Sequence, residues 1–296
     1  TGYLSYTSAG GSTVAMGYGV PVQFSYAKAL YGDENMARMA GELGSSNLLD
    51  LAQGGYHLAY GMRMDAETRV AVAFTQTPTG FYAGNPAWGQ TTGASTASNL
   101  TVGVTRKLSD DLTGGLSFAQ LDEKSGLLGS TYGTTSVLGL GANSTTNVGL
   151  SLAYRFDGHN SLLAETGFAF TRGASGNGLL AGTSEIQSRS WGLTLLSRQV
   201  LNREDRLALS IKQPLRVSSG SVSVITPSLD DAGVAHYGSQ KLTMVPTGRE
   251  LDFKVAYDTP LRKNQTLSLQ LGARRDVANI AGQNDASVGA IWSARF

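Results

Sequence analysis

The chain has 296 residues, 38 of them glycine, which is long for an average domain but within the range of large barrels and sandwiches. Only 15% of residues are charged and the net charge is +1 with no basic stripe, so nucleic acid is not expected as a partner. There is no cysteine, which excludes disulfides and thiolate metal sites, and no apolar run approaches the roughly 18 residues of a membrane helix.

Thr1–Ser8 reads as an edge segment or linker. Thr1–Gly11 has neither the basic region nor the apolar core of a signal peptide, so an exported form would carry its targeting information upstream. STVAMGYGVPVQFSY then alternates, with Val14, Met16, Tyr18, Val20, Val22 and Phe24 on one parity. It reads as the first strand, with Pro21 as a blemish. Residues 28–53 read as a loop with a short helix. Met36, Met39 and Leu43 have helical spacing, Asp33 is placed to cap the start and Gly44 to stop it. The helix is expected in an outer loop, with a pore-plugging position as the alternative.

From about Gly54 to Arg63 the alternation resumes. It recurs in RVAVAFT, LTVGVTR, TNVGLSLAYRF, WGLTLLSR, RLALSIK, ELDFKVAY and TLSLQLGARR. Short charged turns lie near 64–68, 108–111, 157–160, 202–205 and 260–264. Long Gly/Ser/Thr-rich connections lie at about 78–95, 122–143, 173–184, 226–240 and 275–285. The two kinds alternate along the chain. Leu207–Ile225 and Lys241–Tyr257 are longer than a membrane crossing needs and read as a projecting hairpin. The last strand is SVGAIWSARF, with Val288, Ala290, Trp292, Ala294 and Phe296 in phase.

This rhythm predicts an all-β fold: an antiparallel up-and-down transmembrane β-barrel of about twelve strands, with 1–296 as one domain. The opposite parity is mostly Gly, Ser, Thr, Ala and Asn, with Arg63, Arg155, Glu165, Arg198, Lys212, Lys254 and Arg274 as expected pore-lining charges. Aromatics gather at strand ends, at Tyr154, Phe156, Tyr257 and Phe296, as at a membrane boundary. Termini are expected on the periplasmic side of a Gram-negative outer membrane, with long loops outside and outer-membrane lipid around a monomer. His57 is expected to face the lumen, His159 a turn and His236 a loop. No metalloprotease or hydrolase motif appears, so neither enzyme activity nor a cofactor or metal is expected.

QPLRVSSGSVSVITPS, TMVPTGRELDFKVAYDTPL and ARRDVANIAGQNDASVGAIWSARF resemble the C-terminal translocator domain of autotransporters, in particular the subtilisin-like serine protease family. The resemblance is clearest over Gln213–Phe296. It implies a twelve-stranded pore that exports or anchors an N-terminal passenger, with the chain's own passenger or linker as partner. It also implies that Val288, Ala290, Trp292, Ala294 and Phe296 form the signal read by the barrel-assembly machinery. In some autotransporters a lumen carboxylate or Asn cuts the linker; Glu165 and Asn147 have the matching parity. The alternative reading is a stand-alone channel for small solutes.

Overall fold

The structure is a computed structural model. It describes residues 2–19, 22–43, 48–52, 55–77, 97–124, 126–128, 130–131, 140–176, 178–262 and 265–294. In chain order the elements begin with β1 (Gly2–Thr7), β2 (Thr13–Tyr18), α1 (Val22–Tyr31), α2 (Glu34–Leu43) and a 3-10 turn (Leu49–Ala52). Then come β3 (Tyr56–Arg63), β4 (Thr68–Gln76), β5 (Ala97–Lys107), β6 (Leu112–Glu123), β7 (Gly126–Leu127), β8 (Ser130–Thr131), β9 (Asn143–Arg155), β10 (Asn160–Thr171) and β11 (Leu180–Thr183). The chain finishes with β12 (Ile186–Arg198), β13 (Arg206–Ser219), β14 (Ser221–Leu229), β15 (Ala235–Thr243), β16 (Leu251–Arg262), β17 (Gln265–Arg275) and β18 (Asp285–Ala294).

Thirteen strands form one antiparallel sheet in sequence order, β1-β2-β3-β4-β5-β6-β9-β10-β12-β13-β16-β17-β18. Each pairs with its chain neighbour in that order, which is the up-and-down pattern that alternating short and long connections require. Twelve of these strands are those the periodicity predicts; the thirteenth is β1. Its residues obey the same alternation: Leu4 and Tyr6 are exposed, opposite Met16 and Val14 of β2, while Ser5 and Thr7 share the other face. The odd count places Gly2 at the long-connection end and Ala294 at the short-turn end, so the expectation that both termini share one side is corrected. β1 and β18 are the two edges of the sheet and run in the same direction; the expected pairing of the last strand with the first is not among the described ladders.

The first predicted strand is also corrected. Its alternation is real only to Tyr18. The backbone at Gly19 turns to φ 66, and Val22 and Phe24 lie in α1. The expected projection after β13 is present but built differently. Gly220, at φ 139, breaks the long strand, and β14 and β15 pair with each other and with β11 in a separate three-stranded sheet. Much of the predicted loop 226–240 is therefore strand, with the tip at residues 230–234.

One face of the main sheet is apolar and points away from the other described elements of the chain. Leu58, Phe74, Leu100, Phe118, Leu150, Phe170 and Leu271 are among the side chains it leaves 44–54% exposed. A water-soluble monomer rarely exposes a continuous apolar belt of this extent. Lipid is the solvent that suits it, and closed β-architecture is one of the two ways a chain satisfies its backbone there. The other face carries Ala59, Ala71, Ala73, Asn99, Thr101, Ala119 and Asn147, all buried. Among the described residues no helix is long and apolar enough to cross a membrane.

Candidate functional site

What buries the small-residue face is the helical hairpin α1–α2. It packs within the curl of the sheet and does not sit in an outer loop. Tyr26, Ala29 and Leu30 of α1 cluster with Ala15, Ala59, Ala71 and Ala73 of β2–β4. Met39, Ala40 and Leu43 of α2 cluster with Ala153, Leu163, Leu196, Ala208 and Ala256 of β9–β16. The sheet thus wraps round the pair from β2 to β16. The inward residues are small for a steric reason: a Cβ on Gly61 would collide with the backbone of Ala29, and one on Gly103 with the Tyr26 hydroxyl. At Gly61 helix and strand backbones approach as only glycine permits, and at Gly103 the missing side chain makes room for the Tyr26 ring.

The hairpin leaves the sheet at the long-connection end, since Tyr18 and Tyr56, which flank it, are paired. Its tip at Gly32–Asp33 points toward the short turns. Polar groups fasten that tip. Arg69 of β4 donates from Nη2 to the Ala29 carbonyl at 3.1 Å, and Thr105 of β5 donates to the Leu30 carbonyl at 3.1 Å. These are last-turn carbonyls of α1, orphaned by the helix end and favourable for a cation. The Tyr31 hydroxyl donates to Ser151 Oγ at 3.0 Å. Asp33 caps α2 by accepting the Met36 N–H at 2.9 Å, as its position in the sequence predicts. Higher up, Ser25 Oγ meets His57 Nε2 at 3.0 Å, so His57 does face the lumen, and Lys28 donates to Ser5 of β1 at 3.4 Å.

The outer flank of α2 is charged at helical spacing, Glu34, Arg38 and Glu42, and it runs along β16. Arg38 pairs with Asp258, and Glu42 with Lys254 at 2.6 Å. Beside this contact lies a polar cavity of about 450 Å³, lined by Lys212, Asp252, Lys254, Gln270, Arg274 and Ser287 among others. At the short-turn end two further chambers, of about 430 and 1010 Å³, flank the hairpin tip.

All seven predicted lining charges lie on the face that carries the hairpin, in phase with its small residues. The structure separates them into groups. Arg63, Arg155 and Arg198 line the 430 Å³ chamber. Lys212, Lys254 and Arg274 line the cavity along α2, where Arg274 also reaches Asp285. Glu165 sits apart with Asn147, Tyr31 and Ser151 round a small space of about 20 Å³, room for about one water. Of the predicted assembly signal, Val288, Ala290 and Trp292 project from β18 on the exposed apolar side and Ala294 is its last residue; Phe296 lies outside the described residues. Sequence reasoning missed Arg69 and Thr105 as anchors of the hairpin. Their signal was present: inward parity one to three residues from a short turn.

No protein-family profile matches the chain, and no curated protein matches it. Solved structures do. The Pseudomonas putida toluene transporter TodX aligns over 79% of this chain and 72% of its own, at 14% identity and TM-score 0.46. OprB of the same organism aligns over 99% and 72%, at 10% identity and TM-score 0.49. A variant of the Pseudomonas aeruginosa ferric enterobactin receptor aligns over 97% and 40%, at 12% identity and TM-score 0.40. All three are outer-membrane β-barrel proteins.

Proposed function

We propose that the chain is an outer-membrane pore for small polar solutes, with α1–α2 as a plug that fills most of its lumen. The observation that carries this is the size of the space beside the hairpin. Cavities of about 430, 450 and 1010 Å³ suit small molecules, and an extended polypeptide would need the hairpin to leave. The plug is held by hydrogen bonds and ion pairs that can break and re-form. The short turns are assigned to the periplasmic side and the long connections with β14–β15 to the outside. The pore acts as a monomer, inserted through recognition of β18 by the assembly machinery.

The export reading keeps one specific support, the autotransporter-like wording of Gln213–Phe296. It requires a precursor with a folded passenger ahead of Thr1, which the size of the native translation product decides.

The pore reading is tested by conductance in planar bilayers. Arg38→Ala leaves Asp258 buried without its cation, a loss of about 3 kcal/mol where α2 meets β16. The wild type should open rarely and the variant should hold open states at least about tenfold longer. Absence of current from both proteins would refute a pore.

A further inference from the structure

We propose that the chambers at the short-turn end form an anion-selective vestibule for small solutes bearing carboxylate or phosphate groups. This rests on the pore reading. Its basis is a set of basic residues placed at strand ends on the inward face: Arg63 ends β3, Arg69 opens β4 one residue in, Lys107 ends β5, Arg155 ends β9, Arg198 ends β12 and Arg206 opens β13. The 430 Å³ chamber is lined by five of them together, and the 1010 Å³ chamber shares Arg198 and adds Arg206 and Arg38.

Two of these cations face each other directly across a ladder, twice. Arg63 is opposite Arg69, and Arg198 is opposite Arg206, which on its other side is opposite Asp258, the partner of Arg38. Like charges directly opposite are destabilising, so an arrangement that repeats this on two separate strand pairs has a use other than stability. An anion between the guanidinium groups relieves the repulsion, and the planar fork of Arg matches carboxylate and phosphate oxygens.

The same walls also carry acids, so a count of charges does not decide the sign. Their engagement does. Asp33 caps α2, and Asp205 accepts the N–H groups of Val200, Leu201 and Asn202 and the Tyr257 hydroxyl. Glu67 pairs with Arg106 on the outer face, Asp111 with Arg155, and Asp258 with Arg38. Glu34, Asp110 and Glu204 remain on the walls with no such side-chain contact among the described residues. Against them, no ion pair among the described residues engages Arg63, Arg69, Lys107, Arg198 or Arg206, although one guanidinium nitrogen of Arg69 donates to the Ala29 carbonyl and one of Arg198 to the Gly158 carbonyl. Rings of Arg and Lys are how anion pores select.

The test is the reversal potential of the full chain in a planar bilayer under a KCl gradient, with inorganic phosphate then added on the short-turn side. Chloride should be preferred over potassium by about threefold or more, and millimolar phosphate should reduce the current. The triple variant Arg63→Gln, Lys107→Gln, Arg198→Gln should bring the ratio toward one and abolish the phosphate effect. Arg198→Gln alone, which reports on both chambers, should do so in part if the triple variant does not fold. Cation preference in the wild type, or an unchanged ratio in folded variants, overturns the proposal while leaving the pore. No current from either the wild type or Arg38→Ala sinks the pore and the vestibule together.

Discussion

Asp157 shows how much a single residue of this chain reveals in sequence. DGHN reads as a short turn, and Asp157 closes it by accepting the N–H groups of His159 at 2.6 Å and Asn160 at 2.7 Å and the Asn160 side-chain amide. The Asn160 side chain first, and then these backbone donors, push its pKa down to about 2. A depressed carboxylate stabilises the fold above the unfolded pKa, near 4, and that contribution is lost as the pH falls through about 2. Acid unfolding of the wild type and Asp157→Asn in detergent should therefore differ at neutral pH, converge between about pH 4 and pH 2, and coincide below. A gap that does not change with pH would show that shape, not charge, matters in this turn. Other residues were not legible in this way. Gly61 and Gly103 read as members of a small-residue lumen, which suits an empty pore and a filled one equally; only the closeness of Ala29 and Tyr26 shows what they make room for.

At the scale of elements, the long strands were legible because each has one face in an apolar surrounding and one in a polar one, and period 2 records that. The pattern misled at STVAMGYGVPVQFSY. Val22 and Phe24 continue the parity of Val14 and Met16, yet Val22, Tyr26 and Leu30 also recur every four residues, and the glycine turn at position 19 hands the chain to the helix. β1 reads in sequence only as an edge segment or a linker, since six residues carry too few alternations to decide between them, and the structure makes it the edge strand. Its register makes a direct prediction. Leu4 lies opposite Met16, both exposed on the lipid side, while Ala15 is buried on the other face. The chain has no cysteine of its own, so Leu4→Cys with Met16→Cys should form a disulfide on mild oxidation. Leu4→Cys with Ala15→Cys should not, because a shift of one residue reverses the face. Cross-linking in the second pair and not the first would remove β1 from the sheet.

For the whole molecule, the decisive feature is that the apolar face points outward and the small polar face inward, the reverse of a soluble sandwich. Periodicity alone leaves that choice open, because both folds have one apolar face. The hairpin settles which face is inside. It buries Ala, Gly, Asn and Thr and leaves Leu150, in the middle of β9, 50% exposed. Leu150→Arg separates the two architectures. On the surface of a soluble sheet the change would cost little and improve solubility. On the lipid face near the bilayer midplane it should cost about 2–4 kcal/mol. The measurement is the unfolding free energy in bilayers, followed by the shift in SDS mobility that heating gives a folded barrel. The penalty should shrink for substitutions nearer the ends of β9, such as Tyr154→Arg, because a charge there reaches the headgroups. An equal penalty along the strand would point to tight protein packing against that face in place of lipid.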